Sequence, residues 1–342
     1  MYRQGGFDSA TVETLPKGRA FQLVPFDDIR VTTRPDYLIK GLLPETGLAV
    51  VWGPPQSGKS FWAFDAAMHV ALGWGYRDKR VRPAPVVYVA GEGQGGFKKR
   101  VEAFRLEFMQ ADPPPPFYLL GEPVDMIGQH GQLISDIRDQ LGDTPPGLVV
   151  LDTLNRTLRG DENSPEDMGR YVAAADSVRD AFGCCVLIVH HCGVDGSRPR
   201  GHTALTAAAD AQFAVSASGD TRTVEVDKAK DGPTGERLTF KLRTVDVCTD
   251  DDGDPVTSCV VEPTEAPAPD TSEPRMTPNQ QTMFTILHDA GSAGLTKEEW
   301  NQRAREAGLG IKRKADLTDY RSALNSKGLV REIGGRWQVN HD

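Results

Sequence analysis

Long apolar runs are missing from this 342-residue sequence, and so is any pattern among its cysteines. No stretch reaches the ~18 consecutive apolar residues of a membrane-spanning helix. The first twenty residues mix Arg3, Asp8, Glu13 and Lys17 and hold no apolar core of a secretory signal. The five cysteines, Cys184, Cys185, Cys192, Cys248 and Cys259, form no C-x-x-C pair and are odd in number. That argues against a disulfide framework and for reduced thiols in a cytoplasmic protein. Excess positive charge is lacking too. A net charge of -9 excludes a surface coated throughout for nucleic acid. The segment from Arg275 to Asp342 is the exception, with 11 Lys and Arg against 8 Asp and Glu, so it carries +3 and the remainder -12. A basic tail on an acidic body leaves room for local DNA contact at the tail.

What is present is an alternation. Residues 1–30 lack periodicity and read as a lead-in. From 31 to 262 apolar strands alternate with amphipathic helices: Leu48 to Trp52, a helix from Lys59 to about Leu72, Val86 to Ala90, and a helix from Phe97 to Met109 with Phe97, Val101, Phe104 and Phe108 on one face. Leu148 to Leu151 and Cys185 to Val189 are further strands. Between them Ser164-Pro165-Glu166-Asp167 starts a helix that runs to about Phe182, with a serine cap and proline at the first position. Uninterrupted apolar strands separated by helices predict an α/β class with a mostly parallel sheet covered on both faces. From about Ala211 onward, Ala211 to Ser216, Thr221 to Asp227 and Glu236 to Val247 read as antiparallel strands. Proline marks 263–276 as a linker, and 277–342 as a separate small module.

Five motifs carry chemistry. Gly53-Pro54-Pro55-Gln56-Ser57-Gly58-Lys59-Ser60 joins a buried strand to a helix. Inward-pointing amides of such a loop, with the helix N-terminus behind them, cradle the phosphates of ATP. Lys59 would reach the β- and γ-phosphates, and the Ser60 hydroxyl would ligate Mg2+. Asp152 ends the apolar strand LVVLD, where a carboxylate holds the magnesium-bound water. Glu92 follows VVYVAG and is placed to take a proton from attacking water, although a solvated loop glutamate fits the residues equally. His190 and His191 end the strand CVLIVHH. Adjacent strand residues point to opposite faces and no Cys/His spacing here matches zinc, so a polar group facing the γ-phosphate is the better reading. Lys228 and Lys230 share a face in KAKDGPTG, as two cations or as the solvated flank of a hairpin turn.

Together these segments resemble RecA-type ring ATPases, and most closely the RepA-like hexameric helicase family of plasmid and phage proteins. The residues carrying the likeness are YLIKGLLPETGLAVVWGPPQSGKS, VVYVAGEGQGG, LVVLDTL with GDENSPEDMG, and VLIVHHCG with RPRGHTALTAAAD, over about residues 35–262. The resemblance implies a RecA-like core, Glu92 as catalytic base, Asp152 as the acid of the magnesium strand, and His191 as the strand-end sensor. KAKDGPTG is similar to a segment of DnaB-type helicases whose two cations reach into a neighbour's ATP, which implies Lys228 and Lys230 as fingers acting in trans. Lys230 stands where arginine is usual, Asp210 stands near the place of RepA's own finger, and Arg200 and Arg222 are further candidates. The loops after Asp152 and His191 correspond to DNA-contacting loops and offer Arg156, Arg159, Arg198 and Arg200 to single-stranded DNA.

The tail reads as three helices, about Asn279 to Asp289, Lys297 to Ala307 and Asp316 to Ser326. A hairpin turning at Gly334-Gly335 follows. This resembles a winged helix, with Lys312, Arg313, Lys314 and Arg321 in or before the helix that enters the major groove of duplex DNA. A winged helix that docks protein is the alternative. The expectation is therefore an ATP-hydrolysing, ring-forming DNA motor, a hexameric replicative-type helicase of a mobile element. The alternatives are an ATP-switched loader and a recombination mediator.

Overall fold

Valine, leucine and alanine runs without polar interruption bury both faces, and here they become the inner strands of one sheet. The structure, a computed structural model, describes residues 23–30, 36–91, 94–109, 113–193, 196, 198–230, 232–265, 276–310 and 316–340. The chain divides into two units, Met1–Ala266 and Pro267–Asp342. In the first, a short hairpin of β1 (Tyr37–Ile39) and β2 (Leu43–Pro44) leads into β3 (Gly47–Gly53) and α1 (Lys59–Leu72). Then follow β4 (Val86–Ala90), α2 (Gln94–Phe108), β5 (Phe117–Leu120), α3 (Met126–Leu141), β6 (Leu148–Asp152) and a single turn, α4 (Leu154–Thr157). After α5 (Pro165–Phe182), β7 (Cys185–His191) and α6 (Ala204–Ala208) come β8 (Ala211–Ser218), β9 (Thr221–Ala229), β10 (Arg237–Thr249) and β11 (Pro255–Thr264).

These nine strands from β3 to β11 form one sheet in the order β11-β10-β9-β8-β3-β7-β6-β4-β5. Every pairing from β8 to β5 is parallel, and β9, β10 and β11 extend the sheet antiparallel. The class is α/β with a mostly parallel sheet, as the alternation predicts. All residues of β3, β4 and β6 are buried. On one face Phe64 of α1 meets Phe97 and Phe104 of α2 edge-on at 5.3 and 5.7 Å between ring centroids. On the other, Met168, Tyr171, Ala175 and Val178 of α5 cover the sheet. The predicted cap is formed: Ser164 Oγ accepts from the Asp167 amide at 3.2 Å, with Pro165 at the first position. Among the described residues no helix is long and apolar enough to cross a membrane.

Three features depart from the sequence reading. β8 is not simply antiparallel: it pairs parallel with β3, from Ala49↔Ala211 to Trp52↔Ala214, and antiparallel with β9 alone. The crossover that permits this contains only the five-residue α6, too short to show periodicity. β5 and α3 carry little sequence signal, because the edge strand exposes Tyr118 and Leu119 and α3 buries only Met126, Leu133 and Ile137. β11 continues through Pro263 and Thr264, the first residues of the expected linker. Most of that linker, 266–275, lies outside the described residues.

Asp65, on the core face of α1, is 6% exposed. Burial pushes its carboxyl up from 3.8 to about 7, against the pull of Arg77 and a hydrogen bond from Tyr76. A carboxyl whose folded pKa lies above its unfolded one contributes stability below about pH 4 and loses it as the pH rises through 7. Neighbouring His69, held below its ordinary pKa mainly by burial, acts in the opposite direction below pH 6.5. Comparison with an isosteric variant isolates Asp65. Asp65→Asn is expected to stabilise the protein by about 2–4 kcal/mol at pH 8, the gain vanishing toward pH 4. Urea unfolding at pH 5 and pH 8 tests this, and equal differences at the two pH values would contradict it.

The second unit packs α7 (Pro278–His288), α8 (Lys297–Glu306) and α9 (Asp316–Ser326) with a three-stranded antiparallel sheet of β12 (Leu295–Thr296), β13 (Val330–Ile333) and β14 (Arg336–Val339) in the order β12-β14-β13. Capping boxes start α7 and α8, from Thr277 with Gln280 and Thr296 with Glu299. Trp300 is fully buried and donates from Nε1 to Met283 O at 2.9 Å. Arg321 requires a correction. Expected to face a DNA groove, it is 4% exposed, donates to Asn301 Oδ1 at 2.9 Å and lies over the Trp337 ring. Its place on the core stripe of α9 outweighs its charge, and the aromatic face accepts the guanidinium. Lys312, Arg313 and Lys314 lie outside the described residues.

Candidate nucleotide site

The loop Gly53–Ser60 leaves the C-terminal end of β3, in the interior of the parallel strands. Two glycines are required there by sterics. A Cβ on Gly53 would stand 2.1 Å from Val215 O of β8, and Gly58, at φ +95°, would set one 3.2 Å from the buried Phe240 ring of β10. Pro54, Pro55 and Gln56 are exposed, whereas Ser57, Gly58 and Lys59 turn inward. Lys59, 5% exposed, reaches back across the loop and donates to Pro54 O at 2.6 Å. The Ser60 hydroxyl, at the start of α1, donates to Asp152 Oδ1 at 3.0 Å, and Tyr88 of β4 donates to Asp152 Oδ2 at 2.6 Å. His191, paired in register with Gly53, faces the same cleft. That cleft has a volume of about 350 Å³, and Gln56, Lys59, Ser60, Arg100, Thr153 and His191 are among its lining residues.

The donor set fits ATP with Mg2+. Ser57 Oγ is buried with no hydrogen-bond partner, an inward polar atom that a phosphate oxygen would satisfy. One hydroxyl and one carboxylate, Ser60 and Asp152, suit a magnesium ion that keeps waters and phosphate oxygens as its other ligands. His190 is turned to the other side of β7, as strand alternation requires. It is fully buried, it lies 2.8 Å from Arg200 O through Nε2, and burial holds its pKa below the ordinary value. The ring is then neutral, with the proton on Nε2.

The structure brings Lys59, Ser60, Asp152 and His191 together. Glu92 lies outside the described residues; Gly91 before it donates its amide to Asp152 O at 2.7 Å. Lys228 and Lys230 are elsewhere. Lys228 Nζ donates to Thr206 O at 3.0 Å, and Lys230 Nζ pairs with Asp210 at 3.1 Å, while Asp210 Oδ2 accepts the Leu48 amide at 3.0 Å. Both lysines therefore sit at the start of β3, five extended residues or about 17 Å from the loop at its end. Arg222 is the candidate finger that approaches its own loop, its Cγ 3.4 Å from where a Gly58 Cβ would be. Arg156, Arg159 and Arg198 are exposed on the strand-end loops, whereas Arg200 is ion-paired with Glu162.

Sequence reasoning missed Tyr88, Arg100 and Phe240. Tyr88 looks like any aromatic of a buried strand until β4 lies beside β6. Arg100 donates to Ser60 O at 3.2 Å and its guanidinium stands 4.1 Å over the Phe61 ring, a contact made only when α2 folds back on α1.

A protein family described as an AAA domain matches residues 16–197. Among solved structures, the RadB recombinase is 16% identical at a TM-score of 0.42, covering 58% of this chain and 87% of that one. The ATPase domain of a helicase is 15% identical at a TM-score of 0.43, covering 58% and 81%. At those scores neither carries an argument about this chain. No curated protein sequence matches it. The family match spans more than half of the chain and includes Gly53–Ser60, Asp152 and His191, so the chain belongs to the AAA domain family and is a P-loop ATPase.

Proposed function

We propose that the protein is an ATP-hydrolysing, ring-forming DNA motor of the replicative-helicase type, carried by a mobile element and working as a hexamer. The observation that carries this reading is the separation of the cations. Lys59 meets the nucleotide cleft from one side, while Lys228 and Lys230 lie at the opposite end of the sheet, where they serve a neighbour's cleft more readily than their own. Amides of Gly53–Ser60 and the Lys59 ammonium hold the β- and γ-phosphates. Mg2+, held through Ser60 and Asp152, neutralises charge on the β- and γ-oxygens. Tyr88 fixes the second oxygen of Asp152 and so the carboxylate's rotation. Glu92 takes the proton of the attacking water, and His191 reports on the γ-phosphate to the loop that follows it. Arg156, Arg159 and Arg198 contact the phosphates of single-stranded DNA. The five cysteines form no disulfide, which supports a cytoplasmic setting.

A shared site makes turnover depend on assembly. ATPase activity per subunit is expected to rise with protein concentration until the ring forms, with light scattering following the same curve. Lys59→Ala and Lys230→Ala subunits, each inactive alone, are expected to regain activity when mixed, because a mixed boundary can carry an intact loop and an intact finger. A monomer with concentration-independent turnover and no rescue on mixing would rule out the ring. The loader reading is favoured by one observation: Arg321 is buried and the first turn of α9 carries Asp316 and Asp319, a poor surface for a DNA groove. Strand displacement with ATP separates the two, since a loader gives none.

A further inference from the structure

The two strand-end loops assigned to DNA are joined by a contact that no motif announces. Glu162, in the loop between α4 and α5, receives Arg200 Nε on its carboxylate, whose side chain is only 10% exposed. Glu162 O also accepts the His202 amide at 2.8 Å. Gly201 lies between, at φ +87°, so close that a Cβ there would stand 2.5 Å from Glu162 O. Arg200 is held from the other side as well. Its amide donates to His191 O at 3.0 Å, and its carbonyl accepts from His190 Nε2 at 2.8 Å. A continuous run of contacts thus leads from the nucleotide cleft through His191 and Arg200 to Glu162 and the loop that follows Asp152.

The second carboxylate oxygen of Glu162, Oε2, is buried and has no hydrogen-bond partner. Arg200 is the positive group satisfying this carboxylate, and removing it would leave a nearly buried charge uncompensated, which is strongly disfavoured. A DNA phosphate would have to compete with that pairing. We infer that Glu162 and Arg200 are a positioning pair that clamps the two loops into one unit moving with His191, and that Arg200 is not itself a phosphate contact. This rests on the DNA-motor reading and assigns Glu162 and Arg200 a coupling role within it.

The test uses the full chain and an unstructured oligothymidylate. It measures the ratio of DNA-stimulated to basal ATP turnover, and the salt dependence of DNA binding. Glu162→Gln and Arg200→Ala are each expected to lower the stimulation ratio about tenfold or more, and the double variant no further, because the two act as a unit. The salt slope of Arg200→Ala is expected to equal that of the parent, whereas Arg198→Ala lowers it by about 0.7, one phosphate contact on a single strand. A slope lowered by about 0.7 in Arg200→Ala, or full stimulation in Glu162→Gln, overturns the pairing. Additive losses in the double variant overturn it too. If Arg200→Ala does not fold, Glu162→Gln, which keeps shape and hydrogen bonding, still decides through the stimulation ratio. A parent protein that neither binds the oligonucleotide nor is stimulated by it overturns the DNA reading, and this inference with it. That result is distinguishable because it appears without any substitution.

Discussion

Lys59→Ala is expected to bring ATP turnover to background. The charge on the transferring phosphoryl group grows toward the transition state, and Lys59 is the loop's own cation, already turned inward at 5% exposure. Its Nζ now rests on Pro54 O, across the mouth of the loop. Entry of the phosphates exchanges that carbonyl for charged oxygens, a stronger partner for an ammonium. The substitution removes only methylenes and the ammonium, while Gly53 against Val215 O and Gly58 against Phe240 still set the path of the loop. The variant is therefore expected to keep its melting temperature without nucleotide and to lose the rise that nucleotide gives. A ligand at a hundred times its dissociation constant stabilises a folded protein by about 2.7 kcal/mol, so the missing rise is measurable. Unchanged hydrolysis in this variant would refute the P-loop assignment.

Glu92→Gln is expected to separate binding from chemistry. Glutamine keeps the size and polarity of glutamate but cannot accept the proton of the attacking water, so turnover falls by about 10²-fold or more while nucleotide affinity stays. The main chain leading to position 92 is anchored independently of that side chain, through the Gly91 amide on Asp152 O, and the change leaves that anchor alone. Single-turnover hydrolysis alongside binding of a labelled nucleotide gives both quantities. Near-parental turnover would make Glu92 a loop residue and leave the orientation of the water to Asp152 and its neighbours.

Much of this site is legible before folding because its chemistry is local. Gly53 to Ser60 are contiguous, and the glycines, the lysine and the hydroxyl at that spacing state a phosphate loop whatever surrounds it. Asp152 and His191 are legible for a related reason. Each ends an uninterrupted apolar run, and such runs become parallel strands whose C-terminal ends share one edge. Arg321 shows the limit of this kind of reading. Its charge and helix position suggest a groove contact, but whether a side chain on α9 points to solvent or to Trp337 depends on which stripe the other helices cover.

Sequence alone determined the phosphate loop, the alternation of strands and helices, and the capped start of α5, because each depends on neighbours within a turn or a strand. Tertiary structure decided what distance in sequence hides. β8 became the parallel neighbour of β3 through a crossover too short to show periodicity. Tyr88 became the partner of Asp152 because β4 pairs beside β6. Lys228 and Lys230 were carried to the far end of the sheet by the antiparallel return of β9, and Glu162 met Arg200 because two loops from separate strands close over the same edge. The physical reason is common to all four. Strand order and register place groups tens of residues apart within hydrogen-bonding distance, and no local pattern encodes which ones will meet.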